Sequence, residues 1–367
     1  MLARSITARF VKTKKSILLL GPRQVGKSTL IRSLKPDRLI NLMDESLYLG
    51  YAKDPARLKR ELSTIHGSAV IAIDEIQRVP ALLNIVQLLL DEELKLRFFL
   101  TGSSARKLKR GQANLLPGRI LVEHLDPLSY WELEGKLNLE KVLQIGSLPG
   151  IYLEDAETGA ALLSSYGQTY LREEIQAEAL IRNLGPYARF LDAAAEASGQ
   201  WINYSKMSSD SEIPKETLRR FYSLLEDTLI VFRIPPWRTT VSKRRVSQRE
   251  RFVFFDLGVR NALLGIHKSP LSSIEKGRLF EQWILLQIIA FIHAYQKEWH
   301  ISSFRTDTGI EVDWVLETPS SVIGLECKWG KQVSHHDFNG LRTFEKFSRK
   351  PLRKIVIYTG TSDQQFA

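Results

Sequence analysis

The sequence predicts a multidomain α/β protein whose first domain is a parallel sheet covered on both faces. Its 367 residues, at roughly 150 per domain, make two or three domains. Between residue 16 and about residue 125, short unbroken apolar runs alternate with helical patterns. Buried parallel strands and their crossover helices leave that trace. Between the first run and the first helical pattern lies a G-x-x-x-x-G-K-[ST] segment, in the strand-loop-helix context that motif requires.

The strand runs are Ser16–Leu20, Leu39–Leu42, Ala69–Asp74, Arg97–Thr101 and Ile120–Val122. From about 136 to 184 the pattern is helical, and Gly185-Pro186 reads as a break. Helix follows from Tyr187 to Ser198, with Gly199 as its cap. Next come a short helix from Asn203, a polar turn at Ser208–Ser211 and a longer helix begun by Pro214, with Leu218, Phe221, Leu224 and Leu225 as its apolar face. Two strand-like pieces, Leu229–Ile234 and Phe252–Phe255, precede an apolar helix over Leu279–Ile292 and a last strand at Lys354–Tyr358.

Composition narrows the function classes. With 44% hydrophobic and 25% charged residues the chain is neither disordered nor fibrous. A single cysteine excludes an intrachain disulfide and a cysteine-built zinc site. The apolar run after the basic N-terminus is too short for a signal peptide, and no stretch has the ~20 apolar residues of a membrane span. The expectation is a soluble, cytoplasmic protein without membrane contact. Fifty-two basic against 41 acidic residues give a net charge of +11, which favours a polyanionic partner.

The chemistry begins at Gly21-Pro22-Arg23-Gln24-Val25-Gly26-Lys27-Ser28, with Thr29 continuing into the helix. Gly21 and Gly26 let the backbone close round a phosphate with its N–H groups turned inward. Lys27 reaches the outer phosphates, and Ser28 offers a hydroxyl to Mg²⁺. Val70–Glu75 is the partner segment: a buried strand delivers Asp74 to the metal shell, and Glu75 to the attacking water as orienter or base. Thr101 or Ser103 ends the neighbouring strand, either touching the γ-phosphate or that water, or simply capping a helix. Arg119, before the fifth strand, is either a surface arginine or one that acts on a neighbouring copy's nucleotide, which would make this edge a homo-oligomer contact.

LLLGPRQVGKSTL, IAIDEIQ, FLTGSSARKL and LPGRI resemble the text of a prokaryotic AAA-type P-loop ATPase family that carries a central winged helix and a C-terminal PD-(D/E)xK nuclease-like domain. The resemblance implies ATP as the nucleotide, a sheet order of 5-1-4-3-2, and three domains: an ATPase with helical lid over 1–184, a winged helix over 185–255 and a restriction-endonuclease-like α/β domain over 256–367. Phe254–Gly258, which opens the last domain in relatives, takes part in it.

Three helices followed by two strands round a basic loop resemble a winged helix. Its second motif helix would turn Lys215, Arg219 and Arg220 toward DNA. From Arg233 to Arg251 there are seven basic residues and one acidic one, with Trp237 among them, so this loop either tracks a nucleic-acid backbone or is solvated charge. In the tail, Asp313 and Glu326 lie on runs that a turn at Thr318-Pro319-Ser320 folds into a hairpin, bringing the two within a residue or two of each other. With Lys328 beside them and Glu281 on the preceding helix they can hold a second Mg²⁺ at Asp313 and Glu326 and activate water against a phosphodiester; equally, Lys328 can simply pair with a strand carboxylate. The set resembles the D-x(n)-E-x-K core of PD-(D/E)xK nucleases, with Val312 where proline commonly stands. Cys327 should face the core, and His335-His336-Asp337 reads as a polar loop or cap.

Two functions follow. In one, an Mg²⁺-dependent ATPase acts on or with DNA through a tail that cleaves phosphodiesters. In the other, an ATP-dependent switch for protein–protein signalling carries a nuclease-like domain used only for binding.

Overall fold

A computed structural model describes residues 2–92, 95–103, 118–167, 184–238 and 246–365. Its first sheet comprises β1 (Ser16–Leu20), β2 (Arg38–Asn41), β3 (Ala69–Asp74), β4 (Leu96–Gly102) and β5 (Ile120–His124), all parallel, in the order β5-β1-β4-β3-β2. This is the order that the resemblance implies. The central strands β1, β3 and β4 read as unbroken apolar runs because both faces are buried, whereas the edge strands β2 and β5 leave Leu39 and Val122 exposed. Ile17 and Leu19 join Phe10, Leu30 and Phe99 on one side, while Leu18 and Leu20 join Leu82 and Val86 of the helix Ala81–Asp91 on the other.

The middle of the chain has three helices, Leu184–Glu196, Tyr204–Ser211 and Lys215–Asp227, and an antiparallel pair, β6 (Val231–Ile234) with β7 (Arg251–Phe254). Two local expectations are corrected. Gly185-Pro186 does not break the chain; it lies in the first turn of Leu184–Glu196, where proline loses no intrahelical hydrogen bond. Ser208–Ser211 is helix, and the turn falls later, at Glu212, which adopts a left-handed φ of 56°. Asn203 caps that short helix through the Ser205 and Lys206 amides.

The described ends of the connection between β6 and β7 lie against the last sheet. Trp237 N donates to Ser303 O at 2.8 Å, Ser247 N donates to Arg305 O at 2.7 Å, and the Trp237 ring packs edge-on to Phe344. Trp237 is therefore core, contrary to a solvent-facing basic loop at this position. Lys243, Arg244 and Arg245 lie outside the described residues.

The last sheet joins β8 (His300–Arg305), β9 (Glu311–Glu317), β10 (Val322–Lys328) and β11 (Leu352–Tyr358) in sequence order; β8, β9 and β10 are antiparallel, and β11 runs parallel to β10. The helix Ser273–Tyr295 covers one face through Leu285 and Ile289 against Trp314 and Leu325; Phe344 of the helix Asn339–Glu345 covers the other. The apolar helix is longer than its apolar run because a Ser272–Glu275 capping box starts it two turns early. The β9–β10 turn closes at Thr318, whose N–H donates to Ser321 O at 2.9 Å. Among the described residues, no helix is long and apolar enough to cross a membrane.

Candidate functional site

The glycine-rich loop follows β1 and Asp74 ends β3, with β4 between them, so both stand on the carboxyl rim of one sheet. Gly21 fits only as glycine: a Cβ there would lie 2.4 Å from the Leu125 carbonyl oxygen. Gly26 takes a φ of 96° immediately before the helix Lys27–Ser33, a conformation open to glycine. Val25 is buried in the core, while Arg23 and Ser28 are half-buried and Gln24 and Thr29 exposed. Lys27, 4% exposed, donates from Nζ to Gly21 O and Pro22 O, both at 2.8 Å. A buried ammonium held against the carbonyls of a loop bounded by two glycines is a donor set that fits a phosphate. Sequence reasoning missed Arg4, which braces the loop by donating to Val25 O at 2.7 Å and Asp126 O at 2.6 Å. An arginine before the first element carries no local signal of such a contact.

Asp74, Glu75, Thr101 and Ser103 are all buried on this rim. Thr101 Oγ1 donates to Asp74 Oδ1 and accepts from the Glu75 N–H at 2.9 Å, so it ties the two acidic residues to β4. Ser103 Oγ reaches Glu75 Oε2 at 3.3 Å. Glu75 itself has a φ of 60°, the left-handed region that a non-glycine residue enters at a cost, and such outliers gather at functional sites.

Arg119 lies at the opposite end of β5. Ile120 pairs with Ser16, whereas the loop follows Leu20, which pairs with His124. The guanidinium forms an ion pair with Asp91 and does not reach the loop of its own chain.

The tail carboxylates come together in part. Leu325 pairs with Trp314, so Asp313 and Glu326 face one another one residue further along. Their side chains hydrogen-bond, and Asp313 Oδ2 also accepts from the Cys327 N–H at 2.8 Å. Burial first, then the neighbouring Glu281 and Glu326 charges, pushes the Asp313 carboxyl well above its ordinary range. Burial also pushes Glu326 up to about 7, against the pull of Lys328, whose ammonium is 3.7 Å away. Glu281 has another partner. Arg251 of β7, 5% exposed, forms an ion pair with it, donates to Asp313 O at 3.0 Å and to Gly199 O at 2.6 Å, and lies over the Trp314 ring. Among the described residues, no three His, Cys, Asp or Glu side chains converge closely enough to hold a metal ion. The expected three-acid shell is thus two facing acids and a third held by arginine, a role for Arg251 that its place in a basic run does not reveal. Cys327 packs toward the core, and burial raises its thiol well above the usual value. His335–Phe338 is a short 3₁₀ turn with a Ser334–Asp337 capping box.

Comparison with known proteins divides the chain into three stretches. Residues 13–134 match the family described as "AAA domain", which marks this part as P-loop ATPase-like and points to ATP binding with Mg²⁺. Residues 136–270 and 276–367 match two families described as domains of unknown function, DUF8612 and DUF4143. The chain is 26% identical over 316 residues to an uncharacterized protein of Mycobacterium tuberculosis, covering 85% of this chain and 70% of the relative. An uncharacterized protein of Methanocaldococcus jannaschii is 25% identical over 382 residues, at 87% and 77% coverage. One of Haemophilus influenzae is 20% identical over 350 residues, at 88% and 84%.

Proposed function

We propose that this chain binds ATP with Mg²⁺, hydrolyses it, and uses the cycle to act on or with DNA. One observation carries the reading: the buried Lys27 and the Asp74–Glu75–Thr101 cluster share the carboxyl rim of a parallel sheet in the order of a P-loop ATPase. Residues Gly21 to Thr29 cradle the phosphates, and Lys27 offers its ammonium to the outer ones. Ser28 and Asp74 are the residues that would hold Mg²⁺, which when bound neutralises phosphate charge. Glu75 orients the attacking water and takes its proton. Arg119, unable to reach its own loop, serves only if a second copy brings its nucleotide to this edge.

The domain division we adopt is an ATPase with lid over 1–184, a winged helix over 185–255 and a nuclease-like domain over 256–367. Exposed Lys215, Arg219 and Arg220 on one helix, together with the net charge of +11, support DNA as the polyanion. Asp313, Glu326 and Lys328 on adjacent strands support a phosphodiester-cleaving tail with Mg²⁺ at the two acids and Glu281 as their third member. The Arg251–Glu281 ion pair favours a second reading, in which the tail is a binding domain and the chain an ATP-dependent switch for a protein partner.

Supercoiled plasmid, Mg²⁺ or Mn²⁺ and ATP separate the two. Nicking by the wild type that is lost in Asp313→Ala supports the nuclease, and the Lys27→Ala variant reports whether ATP gates it. ATP hydrolysis without nicking, and without stimulation by DNA, leaves the switch. Absence of ATP hydrolysis under every condition refutes both.

A further inference from the structure

The turn that follows β3 contains a residue that none of the roles above uses. Gln77, in the 3₁₀ turn Ile76–Arg78, is 3% exposed. A buried amide is costly unless it is hydrogen-bonded. Its Nε2 donates to Glu75 Oε2 and, at 2.8 Å, to Ser103 Oγ. The opposite amide orientation would set two oxygens against each other at Glu75, so chemistry fixes this one. Its Oε1 is buried and has no hydrogen-bond partner among the described residues. The amide therefore spans the end of β3 and the end of β4 and has one acceptor left over.

We propose that Gln77 is a positioning residue for hydrolysis, holding the Glu75 carboxylate at the attack site and locking it to Ser103. The proposal rests on the reading of Glu75 as the base. Glu75 needs such a hold. Its backbone is in the left-handed region, and its side chain has three rotatable bonds. With Oε2 occupied by the Gln77 amide and the Ser103 hydroxyl, Oε1 is the oxygen left to take a proton from water. Ser103 then serves the reaction through Glu75, a different part from direct contact with the phosphate. A base held in one rotamer reacts faster than one that must find it, and the gain appears in turnover and not in nucleotide affinity.

The test is steady-state ATP hydrolysis by the full chain, with Mg-ATP affinity measured by calorimetry and stability by thermal unfolding. Glu75→Gln should lose about 100-fold or more in kcat with binding retained. Gln77→Ala should lose about 10- to 100-fold in kcat, with KM, affinity and Tm close to wild type. Gln77→Glu supplies a readout that a purely structural role would not move. Its carboxyl can donate to Glu75 only when protonated, so its turnover relative to Gln77→Ala should climb as pH falls from 8 to 6. Three results overturn the proposal: wild-type kcat in Gln77→Ala, a loss matched by equal losses of affinity and Tm, or Gln77→Glu tracking Gln77→Ala at every pH. Wild-type kcat in Glu75→Gln is a separate failure, that of Glu75 as the base.

Discussion

Replacing Gly21 by alanine tests the phosphate loop at its tightest point. The added Cβ would stand 2.4 Å from the backbone oxygen of Leu125, where ordinary contact begins near 3.4 Å, so one segment must move by about 1 Å. Neither yields easily. Leu125 N–H donates to Leu20 O at 2.8 Å, and Gly21 N–H donates to Gly102 O at 3.2 Å, so both segments are tied to the sheet. Overpacking of this kind costs about 1–3 kcal/mol of stability. The larger effect falls on function, because the carbonyls of Gly21 and Pro22 hold Lys27. A displacement of about 1 Å in a group that positions a reacting atom costs on the order of 100-fold in rate. Gly150→Ala is the control, since a Cβ there meets nothing within 4 Å and the residue is helical. Hydrolysis, ATP affinity and thermal unfolding would be followed in both variants. The expectation is about 100-fold loss of kcat/KM in Gly21→Ala with a folded chain, and none in Gly150→Ala. Wild-type kcat/KM in Gly21→Ala would refute the geometry assigned to the loop.

Lys27→Ala should abolish measurable hydrolysis and weaken ATP binding in a calorimetric titration, because it removes the buried ammonium from the loop. Arg251→Ala should destabilise by about 3–5 kcal/mol in denaturant unfolding, since it leaves the Glu281 carboxylate without its ion partner beside buried Asp313. Asp256, buried under the Ser147 and Val259 N–H groups, is pushed up to about 6 from an ordinary 3.8 by burial. Below both values it is protonated folded and unfolded alike. Between them the unfolded chain sheds the proton first, so stability relative to Asp256→Asn should fall by about 3 kcal/mol in all as pH rises from 3 to 7, about 2 kcal/mol of it between 4 and 6, then level off. A difference that does not vary with pH would refute that burial effect.

The sheet was legible because its signal is local. Five apolar runs and one loop motif suffice to lay out β1 to β5, and Asp74 and Glu75 follow from their place at the end of the Val70–Ile73 run. Turn positions were less legible. Pro186 inside a first turn and Ser208–Ser211 inside a helix depend on what packs around them, which outweighs propensity. What stayed hidden was long-range pairing: Arg4 with Val25, Arg251 with Glu281 and Trp237 with Phe344 join residues far apart in sequence. Arg251 is the instructive case. The residues before it are charged and polar, so it reads as the last member of a basic run, while the fold makes it the first residue of β7 and turns it inward between two tryptophans.

The largest apolar core ignores the boundaries between these segments. Ile17 and Phe99 of the first sheet, Phe190 and Phe221 of the middle helices, and Phe254 and Phe255 at the end of β7 belong to one continuous cluster. Cutting the chain near residue 184 would strip that cluster of half its lining and leave each fragment with a greasy, aggregation-prone wall. In a calorimeter the intact chain should then melt its first two thirds as a single endotherm. A displacement of the first sheet would therefore meet the packing of the middle helices directly, through side chains that both share.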